Sequence, residues 1–202
     1  MRESAAESTE IKNTQSPSRT PTSLSDSHRI EAWLEQHVES LARHWVEEVL
    51  RRADTDQAMD QLLERFLRLL TGFVPKAVGA HRSIMAPIWR EAAGLYGSLG
   101  AQRGLAAGEI VEEFQVLRQG VIRLLFEAPP ARFGAAFSLG DALGLNRFLD
   151  SGVTHASIGH TDALFFALFQ GNGVPRVPTD QLVAEVEQHL ATIEEELSAG
   201  AH

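Results

Sequence analysis

Between Glu109 and Glu127 the large apolar side chains fall at Ile110, Val111, Phe114, Leu117, Val121, Leu124 and Leu125, steps of three and four that place them on one face of a helix. Pro129 and Pro130 end the run, because proline lacks the N–H that a helix interior requires. A helix with one apolar face has to bury that face against other elements. The rest of the chain supplies them in the same pattern.

Ser25, Asp26 and Ser27 offer N-caps for a helix bearing Ile30, Trp33, Leu34, His37, Val38, Leu41, Trp45 and Val49, which should end near Arg52. Thr55 or Asp56 can cap a second helix, with Met59, Leu62, Leu63, Phe66, Leu67 and Leu70 inward and its end near Gly72 and Pro75. The short turn between them predicts an antiparallel hairpin. A third helix is expected with Pro87 in its first turn and with Ile88, Trp89, Ala92, Leu95, Tyr96 and Leu99 inward; His81 and Met85 precede it in a connector, for which helix is left open.

Residues 133–169 also read as helical, but Gly134, Gly140, Gly144, Gly152 and Gly159 interrupt them. An interior glycine costs about 0.8 to 1 kcal/mol relative to alanine. Either the helix breaks early, near Gly134 to Gly144, or Gly152 and Gly159 admit a neighbouring backbone at close range. No run of alternating β-branched residues occurs anywhere. The expected fold is therefore all-α, an antiparallel helical bundle with a C-terminal amphipathic helix.

Four segments are expected. Residues 1–27 hold seven Ser, four Thr and two Pro with hardly a large apolar side chain, a disordered polar tail by composition. Residues 28–170 form the helical domain, and 171–178, with Gly171, Gly173, Pro175 and Pro178, form a linker. Residues 179–202 form an acidic helix capped by Thr179, with Val183, Val186, Leu190, Ile193 and Leu197 as a seam. That seam suits either self-association and partner binding or packing back on its own domain. From Val177 to His202 there are six acids and no Lys or Arg, so a parallel pair of these helices would repel.

Composition narrows the chemistry. The absence of cysteine excludes disulfides, thiolate zinc sites and cysteine nucleophiles. Eighteen Lys and Arg against 27 Asp and Glu, a formal charge of -9, argues against a nucleic-acid-binding surface. No apolar run reaches the roughly 18 residues of a membrane span, and the polar N-terminus lacks the apolar core of a secretory signal. A cytoplasmic location is expected.

Candidate chemistry rests on few residues. His155 and His160 are possible haem or metal ligands, but at i and i+5 their imidazoles diverge by about 140° on a helix. No H-E-x-x-H or E-x-x-H pattern supports a metal, and none is expected. The glycine-rich stretch 97–104 follows a helix rather than a strand and lacks the G-K-[ST] ending of a phosphate loop. Arg103 is better placed to cap that helix or pair with an acid. No G-x-S-x-G elbow is present, and an enzyme is not expected. Arg103 and Arg118, with Glu109, Glu112 and Glu113 nearby, could fix helix register through ion pairs or bind an anion, with Trp89 among the aromatics available to line a pocket.

One stretch is distinctive: Leu95-Tyr96-Gly97-Ser98-Leu99-Gly100-Ala101-Gln102-Arg103, then Gly108-Glu109-Ile110-Val111-Glu112-Glu113-Phe114-Gln115-Val116-Leu117-Arg118. It resembles the N-terminal domain of RsbRD-type RsbT co-antagonist proteins, with a Gly-x-x-Arg element followed by an E-x-x-x-E-[FY]-x-x-L-R helix. Trp45 to Leu50 and Leu145 to Asp150 also look like parts of that domain, and the similarity covers about residues 28 to 170. The resemblance implies an all-α input module of bacterial stress and sensor-kinase signalling, without enzymatic activity. Arg103, Glu113 and Arg118 would be family framework residues. After Gly173 only the acidic helix follows, so the expectation is a stand-alone sensor or adaptor that homodimerises and acts on a separate signalling protein. A haem or small-ligand sensor is the alternative.

Overall fold

Six α-helices and one 3-10 turn make up the computed structural model, which describes residues 24–79, 81–134, 136–171 and 180–200. The helices are α1 Leu24–Leu50, α2 Gln57–Lys76, α3 Arg82–Gln102, α4 Ala107–Glu127, α5 Leu139–Phe169 and α6 Asp180–Gly200, with the turn Pro130–Phe133 between α4 and α5. No strand occurs among the described residues, and the fold is an all-α helical bundle. The polar tail through residue 23, the linker at 172–178 and the expected cap Thr179 lie outside the described residues.

Local sequence explains most boundaries. Asp56 caps α2 by accepting the Met59 N–H at 2.9 Å, and Ser138 caps α5 by accepting the Asp141 N–H at 3.2 Å. Ala106 has no side-chain acceptor for the start of α4, yet Glu109 accepts the Ala106 N–H at 2.7 Å. Gly104, with φ +77°, ends α3 in the left-handed conformation that glycine adopts without strain.

Three boundaries differ from expectation. Helix α1 begins at Leu24, so residues 24–27 belong to the helix rather than to the tail. Helix α2 runs through Gly72 to Lys76, because Phe73 and Val74 are fully buried and their packing outweighs the glycine cost. Helix α3 starts at Arg82, before Pro87. Met85 lies one turn before Trp89 and is buried with it, and that burial outweighs the backbone bond to the Ser83 carbonyl that Pro87, the sixth residue of the helix, forfeits.

Antiparallel pairs dominate the packing. Lys76 bonds Glu31 at 3.0 Å and Glu35 at 2.7 Å, and Arg68 bonds Glu39 at 2.7 Å, lacing α2 to α1 in opposite directions. Helix α4 returns along α1, with the Trp33 indole N–H donating to the Ala128 carbonyl at 3.0 Å and Gly120 facing Leu41 and His44. Helix α5 folds back beside the C-terminal half of α4. Helix α6 lies on α2 and α3 with Val186, Leu190 and Ile193 buried, and Val183 and Leu197 partly so.

The most intimate contact joins α3 to α5. A Cβ at Gly97 would lie 1.8 Å from the Ala156 carbonyl oxygen, and one at Gly159 would lie 2.0 Å from the Gly94 carbonyl oxygen. Gly152 takes the Trp89 indole in the same way, at 2.3 Å. The two helices cross with their backbones in contact, which only glycine permits.

Glycine substitutions should therefore have opposite signs along the chain. Gly97→Ala should destabilise by about 1–3 kcal/mol or more through overpacking. Gly72→Ala, with nothing within 4 Å of its new methyl group, should stabilise by up to about 1 kcal/mol. The midpoints of urea unfolding measure both; a Gly97→Ala midpoint at or above the parent's contradicts the backbone contact.

Candidate functional site

Tyr96 on α3 and Arg103, the residue that caps its C-terminus with helical backbone angles, are seven residues apart, two turns, and so project on one side. Glu113, in the second turn of α4, faces both. The Arg103 Nη2 donates to Glu113 Oε1 at 2.9 Å and its Nη1 to Oε2 at 3.2 Å, a two-toothed pair whose side chains are only 3% and 8% exposed. The Tyr96 hydroxyl donates to Glu113 Oε2 at 2.6 Å. The Glu113 backbone carbonyl accepts the Trp45 indole N–H at 2.7 Å, which brings α1 to the same point.

Aromatic rings enclose this cluster. Phe66 and Phe114 meet the Tyr96 ring edge-on at centroid distances of 5.5 and 5.8 Å, and Trp45 lies 5.6 Å from Phe114. Burial, reinforced by the Glu113 carboxylate, holds the Tyr96 phenol well above its usual pKa. Burial works against the charge on Arg103, but Tyr96 and Glu113 more than offset it and the guanidinium pKa is raised. The cluster can hold three helices in register: the Glu113 carboxylate takes the Tyr96 hydroxyl and both terminal nitrogens of Arg103, while the Arg103 Nε is buried without a partner.

The other residues singled out by sequence lie apart from it. Arg118 bonds Asp150, joining α4 to α5, and Asp150 also accepts from Asn146 at 2.9 Å. Trp89 is fully buried, stacked on Phe148 at 4.5 Å and donating its indole N–H to the Phe148 carbonyl at 2.9 Å. Arg103, Arg118 and Trp89 thus have separate partners and do not converge on one pocket. His160 is buried and donates from Nε2 to the Leu105 carbonyl at 2.8 Å, while half-buried His155 donates from Nδ1 to the Ser151 carbonyl at 2.8 Å. No group of three His, Asp or Glu residues arranged to hold a metal occurs among the described residues.

The seam of α6 covers its own bundle: Val186, Leu190 and Ile193 are in the core, with Val183 and Leu197 packed against it. Arg65 of α2 fastens it, donating to the Glu194 carboxylate at 2.9 and 3.3 Å. The pair is two-fifths exposed, so it adds little to the apolar contact. No helix among the described residues is long and apolar enough to cross a membrane.

Open surface lies elsewhere. A cleft of about 270 Å³ runs between α4 and α5, lined by Val121, Ile122, Leu125, Leu143, Asn146 and Leu149 among others. Beside it and beyond it, large apolar side chains face solvent: Phe126 on α4 is 82% exposed, and Leu139, Ile158, Phe165, Phe166, Leu168 and Phe169 of α5 are all at least half exposed. Sequence reasoning counted none of these as a surface, because α5 is apolar on both sides and shows no single stripe. Tyr96 as the third member of the Arg103 cluster was also missed, although its two-turn spacing from Arg103 was readable.

Comparison with known proteins finds no matching family model, no similar curated protein and no solved structure of matching fold.

The buried cluster makes two predictions. Glu113→Ala leaves a buried guanidinium without its partner and should cost about 3–5 kcal/mol in chemical unfolding. A cost under about 1 kcal/mol would place the pair in water-like surroundings. Tyr96 is the chain's one tyrosine, so the ultraviolet band of phenolate reports it alone. Its folded pKa is raised, so the contribution to stability is full below the unfolded value of about 10 and is lost as pH rises beyond it. The phenolate band should stay absent above pH 10 while the chain is folded and appear with unfolding; normal titration in the folded state contradicts the burial.

Proposed function

We propose that this chain is a non-enzymatic sensor or adaptor of bacterial signal transduction, an input module that acts through protein–protein contacts, as a homodimer and on a separate signalling protein. The observation that carries this reading is the set of large apolar side chains exposed at the two ends of α5: Leu139 and Leu143, beside Ile122 and Phe126 of α4, at one end, and Phe165, Phe166, Leu168 and Phe169 at the other. Clustered apolar side chains left in water mark interaction sites. The resemblance to RsbRD-type input domains at residues 95–118 supports the signalling class, its stress-response setting and a cytoplasmic role.

The mechanism we propose is a shift between two packings. Arg103, Glu113 and Tyr96 keep α1, α3 and α4 in one register, a rigid frame. Helix α6 is held by three buried side chains and an exposed ion pair, so a partner that covers the same seam competes with the bundle for it. Binding energy of the partner then sets how far the helix moves.

Native mass spectrometry of gently purified protein, followed by a denatured run on the same sample, tests the reading. The expected spectrum shows protein subunits alone. A stoichiometric small-molecule adduct lost on denaturation would overturn it in favour of ligand sensing, and the adduct's mass would identify the chemistry.

A further inference from the structure

We infer that the outer face of α5 is the surface on which a second copy of this chain docks, antiparallel and two-fold about Thr154. This deepens the proposed function and rests on it only for the premise that the chain works through protein contacts.

The outward residues of α5 follow one stripe: Leu139, Leu143, Asn146, Asp150, Thr154, Ile158, Thr161, Phe165 and Leu168, in steps of three and four. All are exposed. Phe169 borders the stripe and is 87% exposed. The inner face carries Gly144, Leu145, Phe148, Leu149, Gly152, Ala156 and His160, all buried. One helix therefore has two faces with apolar residues, and the bundle covers only one.

The stripe is symmetric about its middle. Leu143 and Phe165 lie eleven residues either side of Thr154. A two-fold axis at Thr154, with two α5 helices antiparallel, sets Leu143 against Phe165 of the second copy, while Leu139 and Phe169 flank the contact on opposite edges. Each contact occurs twice, as an isologous interface requires. Polar Asn146, Arg147, Asp150, Thr154 and Thr161 lie, with Ile158, between the apolar ends.

Charge favours the same arrangement. The chain carries -9 overall, so two copies repel on most approaches. On this face Arg118 and Arg147 balance Asp150 and Asp162. Arg147 is seven residues before Thr154 and Asp162 eight after it, so the axis brings each Arg147 within one residue, a rise of about 1.5 Å, of Asp162 on the other copy. Helix α6, by contrast, has no Lys or Arg in its sequence and would meet its copy with like charge.

Length is adequate. At about 1.5 Å per residue, the 31 residues of α5 span about 46 Å.

The chain's lack of cysteine makes a clean test. Thr154→Cys places one thiol on the axis, and Glu187→Cys places one on the exposed side of α6. Under mild oxidation with a copper catalyst, Thr154→Cys should form a disulfide-linked dimer at least about tenfold faster than Glu187→Cys, as expected for thiols held at high effective concentration. In sedimentation equilibrium, Arg147→Asp and Asp162→Arg should each raise the dimer dissociation constant about tenfold, and the double variant should restore it. Unchanged circular dichroism shows that the variants fold. A monomeric parent chain, a dimer that cross-links faster at residue 187, or a double variant no better than the singles would overturn the two-fold. A monomer free of adducts would overturn this inference and the homodimer of the proposed function, and leave standing an adaptor that acts on a separate protein; a dimer cross-linked at 154 that carries a small molecule would overturn the adaptor and leave the two-fold standing.

Discussion

One carboxylate ties the bundle together. Glu113 accepts two bonds from Arg103 and one from Tyr96, while its backbone carbonyl accepts from Trp45. Those contacts join α4 to two points of α3 and one of α1. A charge pair inside aromatic walls is weak as a source of net stability, since desolvation consumes much of the attraction. Its value is geometric. Only one sliding position of α4 against α3 satisfies Tyr96 and Arg103 together, and any other leaves a buried charge unpaired. The register of α4 then fixes where Gly120 meets α1 and where Arg118 finds Asp150.

The second constraint is steric. Where α3 and α5 cross, glycine faces backbone: Gly97 against Ala156, Gly94 against Gly159. The same helices carry the largest core contacts nearby, with Trp89 on Phe148 and over Gly152. Small and large residues alternate along the seam, so the two helices interlock rather than slide. The hydroxyl of Ser98 adds a bond to the Gly159 carbonyl at 3.1 Å, possible only because the backbones are so near.

Much of this was readable before the structure. The apolar stripes of α1, α2 and α4 named their buried residues, since each has a single apolar side and clear stops. The close packing of Gly152 and Gly159 followed from the cost of keeping glycine inside a helix. Helix ends were harder. Gly72 and Pro87 look like punctuation in a local reading, yet burial of Phe73, Val74, Met85 and Trp89 decides the matter from a distance. The cluster at Glu113 was half legible: Arg103 and three acids gave three possible pairings, and only tertiary contact selects Glu113 over Glu109 and Glu112. Glu109 is instead spent on the Ala106 N–H. Arg118 looked toward the same acids and found Asp150, a residue 32 positions away whose approach no spacing announces.

Helix α5 shows why the surface escaped a sequence reading and why it exists. Its inner face must be small to let α3 approach, so glycine and alanine occupy positions that an ordinary buried helix gives to leucine or phenylalanine. The large apolar residues of its C-terminal third, Phe165, Phe166, Leu168 and Phe169, are then left outside the contact. A periodicity search sees apolar residues all round and finds no preferred side. The physical reading is different: tight backbone contact satisfies one side of the helix, and the exposed side chains on the other remain a source of binding energy that the single chain does not use. The constraint that locks α5 to α3 is the same one that leaves its outer face free to bind.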